Sequence, residues 1–136
     1  MDCIFCRIIS GEIPSYKVYE DEDIIAILDI SQVTKGHTLV IPKIHCRNLY
    51  ELDPDHASRI FRQLPRLANA IKKAFDPIGL NIVINTEKPL QAVFHFHIHL
   101  IPRYENDEFV IASMAPKQDV SKALFIETCD KIKKEL

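Results

Sequence analysis

Residues 94–101 read Phe-His-Phe-His-Ile-His-Leu-Ile, so three histidines alternate with apolar residues. A β-strand sends successive side chains to opposite faces, which predicts a strand over 93–101 with the three imidazoles on one face, about 6.5–7 Å apart. The apolar residues that would face the core are Phe94, Phe96, Ile98 and Leu100. Because imidazoles titrate near neutral pH and repel one another when protonated, a row of three indicates a functional site.

Two kinds of chemistry suit such a row. Histidines two residues apart on a strand, joined by a third ligand, can hold a catalytic zinc ion with an open coordination position. Alternatively, a neutral imidazole can attack an electrophilic centre such as phosphorus, while its neighbours orient it and neutralise charge on the phosphoryl oxygens. The residues of the row leave both interpretations open.

Further strands and helices are predicted around the histidine row. The spacing of apolar residues becomes helical over 55–75, where Pro65 should kink or divide the helix, and a last helix is predicted over 119–134. A short link between the last two strands favours an α+β fold with a mostly antiparallel sheet, and no linker divides residues 1–136, which predicts one domain. The predicted strands are 17–20, 24–28, 38–41, 80–84 and 93–101.

The composition narrows the classes of partner and compartment. The 136 residues carry 17 Lys and Arg against 19 Asp and Glu, a formal charge of −2. Without a basic field we expect no nucleic-acid partner, and any nucleotide would be a small molecule held in a pocket. No stretch reaches the roughly 18 apolar residues of a membrane span, and no secretory signal is apparent, so we expect no membrane association and a cytoplasmic location.

The histidine row also fits a family signature in which three histidines are separated by single apolar residues and followed by two more. The chain resembles the histidine triad (HIT) family of nucleotide-binding hydrolases and transferases over about residues 3–104, and it is most similar to the bacterial form of the Hint-like branch. Three further segments agree in order and spacing: I-F-C-R-I-I-S-G-E-I-P at 4–14, L-D-I-S-Q-V-T-K-G-H-T-L-V-I-P-K at 28–43, and Asn85 with Gln91. The resemblance implies a HIT-like fold with a mostly antiparallel five-stranded sheet and two main helices. It also implies a homodimer in which two protomers join into one larger sheet.

The resemblance implies catalytic roles for four histidines. His97, the middle one, would attack the α-phosphorus of a nucleotide substrate and form a covalent nucleotidyl-histidine, from which water releases a nucleoside monophosphate. His99 would contact the phosphate and help to protonate the leaving group. His37 would help to orient the other histidines, and His95 belongs to the same catalytic set.

The resemblance also assigns the nucleotide-binding residues. Asp29 would accept hydrogen bonds from the ribose hydroxyls, although an Asx turn before Ser31 explains an aspartate at this position equally well. The apolar pocket around the base would consist of Phe5, Ile8, Ile27, Leu28 and Ile30, which could otherwise simply be core residues. Near the phosphates would lie Asn85, Gln91 and Ala92.

The loop that includes residues 85–92 departs from the family pattern. The usual pattern has one or two glycines and a Ser or Thr after the glutamine, whereas this loop reads N-T-E-K-P-L-Q-A and contains no glycine. Ala92 offers no side-chain donor to a phosphate oxygen, a loss of about 1–3 kcal/mol of binding free energy. We therefore expect weaker catalysis or an altered leaving-group preference.

Cys3 and Cys6 form a C-x-x-C pair, which alone is a weak signal because a closed tetrahedral zinc site needs two more ligands. Bacterial relatives of this branch use the positions of His45 and His95. The resemblance thus implies a structural zinc site of Cys3, Cys6, His45 and His95 that pins the amino terminus against the histidine row.

Together these features predict a hydrolase or nucleotidyl transferase that acts on purine nucleoside phosphoramidates or related nucleotide conjugates and needs no cofactor for the chemistry. Three alternatives stay open: a Fhit-like dinucleoside polyphosphate hydrolase, a nucleotide-binding scaffold with little turnover, and a catalytic zinc site at the histidine row. In relatives, the region that corresponds to 105–136 shapes leaving-group choice.

Overall fold

The computed structural model describes residues 2–105 and 119–136. The strands of this part of the chain are β1 (Lys17–Glu20), β2 (Ile24–Leu28), β3 (Thr38–Pro42), β4 (Gly79–Val83) and β5 (Ile98–Arg103). Its helices are α1 (Ile4–Ile9), α2 (Pro54–Arg62), α3 (Leu64–Phe75) and α4 (Lys122–Lys134), with a short 3-10 helix at Leu49–Glu51. The strands form one sheet in the order β1-β2-β3-β5-β4, and each neighbouring pair is antiparallel. The predicted α+β fold with a five-stranded antiparallel sheet is confirmed.

Both faces of the sheet are covered, which explains why β2 is apolar throughout and β3 is apolar after Thr38. On one face Ile24, Val40 and Leu100 pack with apolar residues of α2 and α3. On the other face Ile25 and Leu39 pack with residues of the α1 segment. The remaining members of this second cluster are Cys3, Phe5, Ile27 and Ile41. Helix α1 is therefore attached to the sheet by its apolar side chains, beside β2 and β3.

Pro65 divides the predicted helix over 55–75 as expected. Helix α2 ends at Arg62 and α3 begins at Leu64, with the proline in the first turn of α3. A proline inside a continuous helix would lack its N–H donor and clash with the carbonyl four residues earlier, so the chain starts a new helix instead. The last helix begins at Lys122, because the Ser121 hydroxyl accepts a hydrogen bond from the Leu124 amide at 3.1 Å and caps it.

The prediction of a strand over 93–101 is wrong at its first residues. Strand β5 begins only at Ile98, and the preceding segment is irregular, so the strict alternation of faces does not hold before that point. Phe96 is 1% exposed in the core, but Phe94 is half-buried, and the Arg47 guanidinium lies 4.1 Å from the centroid of its ring. The irregular backbone lets the three histidines point to different surroundings.

In the part of the chain that the structure describes, no helix is both long and apolar enough to cross a bilayer.

Glycine at position 36 is required by both backbone and packing. Gly36 has φ +92°, and a Cβ there would lie 3.1 Å from two carbons of the Phe75 ring; Gly11 has φ +83° but open space around the same position. We expect Gly11→Ala to cost about 1 kcal/mol from the left-handed backbone alone. Gly36→Ala should cost about 2–4 kcal/mol, because overpacking is added to that strain.

Urea unfolding of the two variants and the wild type, at one zinc concentration, measures both losses. Equal losses for Gly36→Ala and Gly11→Ala would show that the Phe75 ring moves aside freely.

Candidate active site

A cleft of about 430 Å³ opens between α1, the end of β2 and the segment that precedes β5. Most residues that the resemblance places around a nucleotide line this cleft: Phe5, Ile8, Ile27, Leu28, Asp29, Ile30, Asn85, Ala92, His97 and His99. Sequence reasoning missed further lining residues: Ile4, Ile13, Pro14, Ser15, Ser31, Leu39, Leu90 and Val93. The wall is mostly apolar and carries two imidazoles, which suits a ligand with a flat apolar part and a reactive polar part.

His97 is held as a neutral imidazole with one nitrogen free. Its Nδ1 donates a hydrogen bond to the His95 carbonyl oxygen at 2.7 Å, which leaves the lone pair on Nε2. The side chain is buried, and burial lowers the pKa of His97 below its ordinary value. The ring also lies edge-on to Phe5, with 5.0 Å between the ring centroids. A fixed neutral imidazole with a free nitrogen in a cleft is a competent nucleophile.

His37 and His99 form a chain of hydrogen bonds that fixes their tautomers. The Val33 amide donates to His37 Nδ1 at 3.2 Å, so His37 carries its proton on Nε2. That nitrogen lies 2.9 Å from His99 Nδ1 and donates to it, which leaves His99 with its proton on Nε2. Burial, together with the neighbouring imidazoles of His97 and His37, lowers the pKa of His99 to about 4. His99 is therefore a neutral hydrogen-bond donor on the wall of the cleft.

Asp29 forms the Asx turn that the sequence allowed, and it also lines the cleft. Its Oδ1 accepts a hydrogen bond from the Ser31 amide at 2.8 Å, which is the Asx turn. Its Oδ2 lies 3.5 Å from His37 Nε2, and the residue lines the cleft. The turn thus holds the carboxylate at the end of β2 with one side facing the cleft.

The third histidine of the row belongs to a different cluster. His95 Nδ1 lies 3.5 Å from Cys3 Sγ, 3.6 Å from Cys6 Sγ and 3.1 Å from His45 Nδ1. Tetrahedral zinc, with bonds of about 2.3 Å to sulfur and 2.0–2.1 Å to nitrogen, requires separations of about 3.6 Å and 3.3 Å between such ligand atoms. The His95 Nε2 proton is donated to the Pro42 carbonyl oxygen at 2.8 Å, so Nδ1 turns its lone pair toward the cysteines. The donor set, the spacing and the hydrogen bond from His95 to the Pro42 carbonyl oxygen fit zinc.

The row of histidines is not arranged as a catalytic metal site. His95 faces the cysteines, and His97 donates from Nδ1 to a carbonyl oxygen. Asp29, His37 and His99 do place one ligand atom each within 4.8 Å of the others. However, a metal on His37 Nε2 would require a proton on Nδ1, where the Val33 amide already donates. The hydrogen-bond chain therefore favours proton-bearing histidines over a metal at this point.

Gln91 takes a different position from the other residues assigned to the phosphates. It is 3% exposed, and its Nε2 donates to the Arg47 carbonyl oxygen at 2.7 Å and to that of Val93 at 3.1 Å. Its Oε1 accepts from the Glu87 amide at 2.8 Å. The side chain thus holds the loop from inside, whereas Asn85 and Ala92 line the cleft.

The sequence profile of the HIT domain matches residues 10–106, most of the chain. The chain belongs to the HIT family. Protein hit of Bacillus subtilis is 60% identical over 104 residues, which cover 76% of this chain and 72% of that protein. Adenylylsulfatase HINT3 of Arabidopsis thaliana is 42% identical over 107 residues, which cover 78% of this chain and 54% of that protein. The chain is thus a HIT protein with Hint-like relatives.

Solved HIT structures share the whole fold. The crystal structure of a HIT family member from Bacillus subtilis superposes with a TM-score of 0.95 at 48% identity, covering 100% of this chain and 98% of that one. A zinc-bound histidine triad family protein from Mycobacterium smegmatis has a TM-score of 0.76 at 34% identity, covering 100% and 99% of the two chains.

The lowered pKa of His99 makes the stability of this HIT protein pH-dependent. Between its ordinary value of 6.5 and about 4, His99 stays neutral in the folded chain but takes up a proton in the unfolded chain. The unfolded state then binds more protons, so the free energy of unfolding falls as the pH falls through this window. We expect His99→Gln to lose less stability than the wild type between pH 7 and pH 5.

Urea midpoints at half-unit steps of pH, with zinc in excess, give the two curves. The cysteine cluster contributes equally to the pH dependence of stability in the wild type and in His99→Gln. Its contribution therefore cancels when one curve is subtracted from the other. Parallel curves would contradict the assignment of a neutral His99.

Proposed function

We propose that this protein is a nucleotide hydrolase or nucleotidyl transferase that works through a covalent intermediate on His97. The observation that carries the proposal is the hydrogen bond from His97 Nδ1 to the His95 carbonyl oxygen, which leaves Nε2 free beside His99 in the cleft. Membership of the HIT family, a family of nucleotide-binding hydrolases and transferases, supports the same reaction class.

Each reacting group has a defined part in the proposed reaction. Nε2 of His97 attacks the α-phosphorus, and the bond from phosphorus to the leaving atom breaks with its electron pair going to that atom, which takes up a proton from solvent. His99 donates its Nε2 proton in a hydrogen bond to the phosphate oxygens, where negative charge develops. Water then attacks the same phosphorus and gives up one proton to solvent, the bond from phosphorus to His97 breaks with its electron pair returning to Nε2, and the nucleoside monophosphate leaves with His97 restored as a neutral imidazole.

The wall of the cleft supports a purine nucleotide as the substrate class. Phe5, Ile8 and Ile27 offer apolar surface for a purine base, and Asp29 offers an acceptor to ribose hydroxyls. The resemblance to the Hint-like branch favours nucleoside phosphoramidates or related adenylates, and the name of the Arabidopsis relative, an adenylylsulfatase, favours substrates whose leaving group is attached to an adenylate. Hydrolysis of dinucleoside polyphosphates is the alternative within the same mechanism.

A second candidate function is a nucleotide-binding scaffold with little turnover. It is favoured by one observation: Ala92 lines the cleft at a position where a hydroxyl would supply a donor to the phosphate.

Replacement of His97 separates these functions. His97→Asn keeps a donor for the His95 carbonyl oxygen but removes the nucleophile, so AMP release from adenosine phosphoramidate should fall at least about 1,000-fold. AMP affinity, measured by calorimetry, should stay within threefold or so of the wild type. His56→Asn, on a partly exposed residue of α2 outside the cleft, is the control and should retain full turnover.

Turnover that survives in His97→Asn would contradict the nucleophile. Wild-type protein that binds AMP but releases none from the phosphoramidate would establish the scaffold instead. Loss of activity on chelation, while the protein stays folded, would favour a catalytic metal.

We propose that Cys3, Cys6, His45 and His95 hold one structural zinc ion. The ligand atoms of this cluster lie within 4.8 Å of one another, and the zinc-bound relative from Mycobacterium smegmatis supports the same metal. When bound, the ion would cross-link α1 to the segment before β5 and take no part in the chemistry. The fixed ring of His95 would in turn fix the backbone carbonyl that orients His97.

Two cysteine variants test the metal site. Cys6→Ser removes a proposed ligand, whereas Cys129→Ser removes an exposed cysteine of α4 that lies outside the cluster. Protein purified without chelator should contain about one equivalent of zinc in the wild type and in Cys129→Ser, and much less in Cys6→Ser. Less than about 0.2 equivalents in the wild type would count heavily against the site.

We propose further that residues 1–136 form one HIT domain and that two copies form a homodimer. Every residue of α4 is exposed in the single chain, including Leu124, Phe125, Ile126 and Ile132. Such apolar side chains on one helix are typical of a surface that another protomer covers.

Residues 106–118, which connect α4 to the sheet and belong to the region expected to shape leaving-group choice, lie outside the described part of the chain. The cytoplasmic location stays a prediction.

A further inference from the structure

The loop over 85–92 contains a residue that adopts a glycine-like backbone. Glu87 has φ +71°, in the left-handed region, although the loop contains no glycine. A non-glycine residue in that region has a strained backbone, which persists only when its surroundings hold it in place. The interactions of Glu87 therefore show what fixes the loop.

Glu87 is held by side chain and backbone at once. Arg47 donates from Nε and Nη2 to the two carboxylate oxygens at 2.7 and 2.8 Å, and Asn48 Nδ2 donates to the same carboxylate. The Glu87 backbone amide donates to Gln91 Oε1 at 2.8 Å, and the Gln91 backbone amide donates to the Glu87 backbone carbonyl oxygen at 3.1 Å. These contacts close residues 87–91 into a ring beside the cleft.

The cation of this pair is itself anchored to the segment that carries the histidines. The Arg47 guanidinium lies 4.1 Å from the centroid of the Phe94 ring, and the Arg47 backbone carbonyl oxygen accepts a hydrogen bond from Gln91 Nε2 at 2.7 Å. The backbone carbonyl oxygen of the preceding residue, Cys46, accepts a hydrogen bond from the Phe96 backbone amide at 2.8 Å. Arg47 thus joins the loop to the residues on either side of His95.

The ion pair between Arg47 and Glu87 should be stronger than an ordinary surface salt bridge. Both side chains are nearly half exposed, so a single contact between them would contribute little. Here the fork of the guanidinium meets both oxygens, and a buried amide adds a third donor. The hydrogen bonds from Arg47 and Asn48 lower the pKa of Glu87 to about 2, so the carboxylate is charged at neutral pH.

We propose that Glu87 and Arg47 are positioning residues whose ion pair takes the place of loop glycines and sets the backbone of Asn85 and Ala92 against the substrate phosphate. Neither Glu87 nor Arg47 lines the cleft, whereas Asn85 and Ala92, which flank the ring, do. The inference rests on the proposed function, because the phosphate is the part of the ligand that this loop would meet. Loss of the pair should weaken binding of the phosphate and leave binding of the nucleoside alone.

The test compares AMP with adenosine, titrated calorimetrically into the wild type, Glu87→Gln and Arg47→Met. If the ion pair positions the loop, both variants should bind AMP about tenfold more weakly than the wild type does. Their affinity for adenosine should stay within about twofold of the wild-type value. If long-range charge alone decided AMP affinity, the two variants would change it in opposite directions, since Glu87→Gln removes an anion and Arg47→Met removes a cation. Glu20→Gln, which breaks a similar pair with Lys17 and Lys43 away from the cleft, is the matched control and should bind both ligands normally.

Three results would overturn the proposal: AMP affinity within twofold of the wild type in Glu87→Gln and Arg47→Met, an equal loss for adenosine, or opposite effects of the two variants. Glu87→Gly adds a further arm, because it permits the left-handed backbone without the ion pair. Wild-type AMP affinity in Glu87→Gly would show that backbone conformation alone sets the loop.

Hydrogen exchange keeps the inference testable if the proposed function fails. Wild-type protein that binds neither AMP nor adenosine would refute the nucleotide function itself. Even then, the Gln91 amide should exchange at least about tenfold faster in Glu87→Gln than in Glu20→Gln, because it loses its fixed acceptor. Equal exchange rates would refute the ion pair as the element that holds the loop.

Discussion

The hydrogen bond from His97 Nδ1 to the His95 carbonyl oxygen, at 2.7 Å, joins the two halves of the site. One half is the cleft, whose wall includes His97 and His99; the other is the cluster of Cys3, Cys6, His45 and His95. The His95 carbonyl that accepts this bond belongs to the irregular segment before β5. The irregular segment is thus part of the way in which His97, the proposed nucleophile, is oriented.

The same backbone segment is held from three directions. Helix α1 brings two cysteines to His95, the Pro42 carbonyl accepts the proton of its other nitrogen, and Arg47 packs against Phe94. None of the residues that make these contacts with the segment from outside it lines the cleft. Under the proposed function, preorganisation of His97 therefore depends on residues that lie behind the cleft, which is where loss of the proposed zinc ion or of the Arg47 ion pair would act.

Patterns along the chain predicted the parts of the fold that depend on local spacing. The apolar run over 24–28 gave a strand buried on both faces, and Pro65 gave the boundary between α2 and α3. The histidine spacing predicted a strand that carries His97 and His99 to the cleft wall, but it placed the start of that strand at 93 instead of Ile98. Alternation alone does not reveal that Phe94 packs against Arg47, because these residues meet only through the tertiary fold. For the same reason the partners of Glu87, 39 and 40 residues away in sequence, could not be predicted.

The nucleophilic role of His97 is tested most directly by trapping the intermediate. Wild-type protein is mixed with adenosine phosphoramidate, quenched rapidly in denaturant and analysed by intact mass, beside His97→Ala treated in the same way. If His97 is the nucleophile, a covalent adduct with the added mass of an adenylyl group forms in the wild type and none forms in the variant. AMP release by the wild type with no adduct at any quench time, or an adduct that persists in His97→Ala, would contradict it.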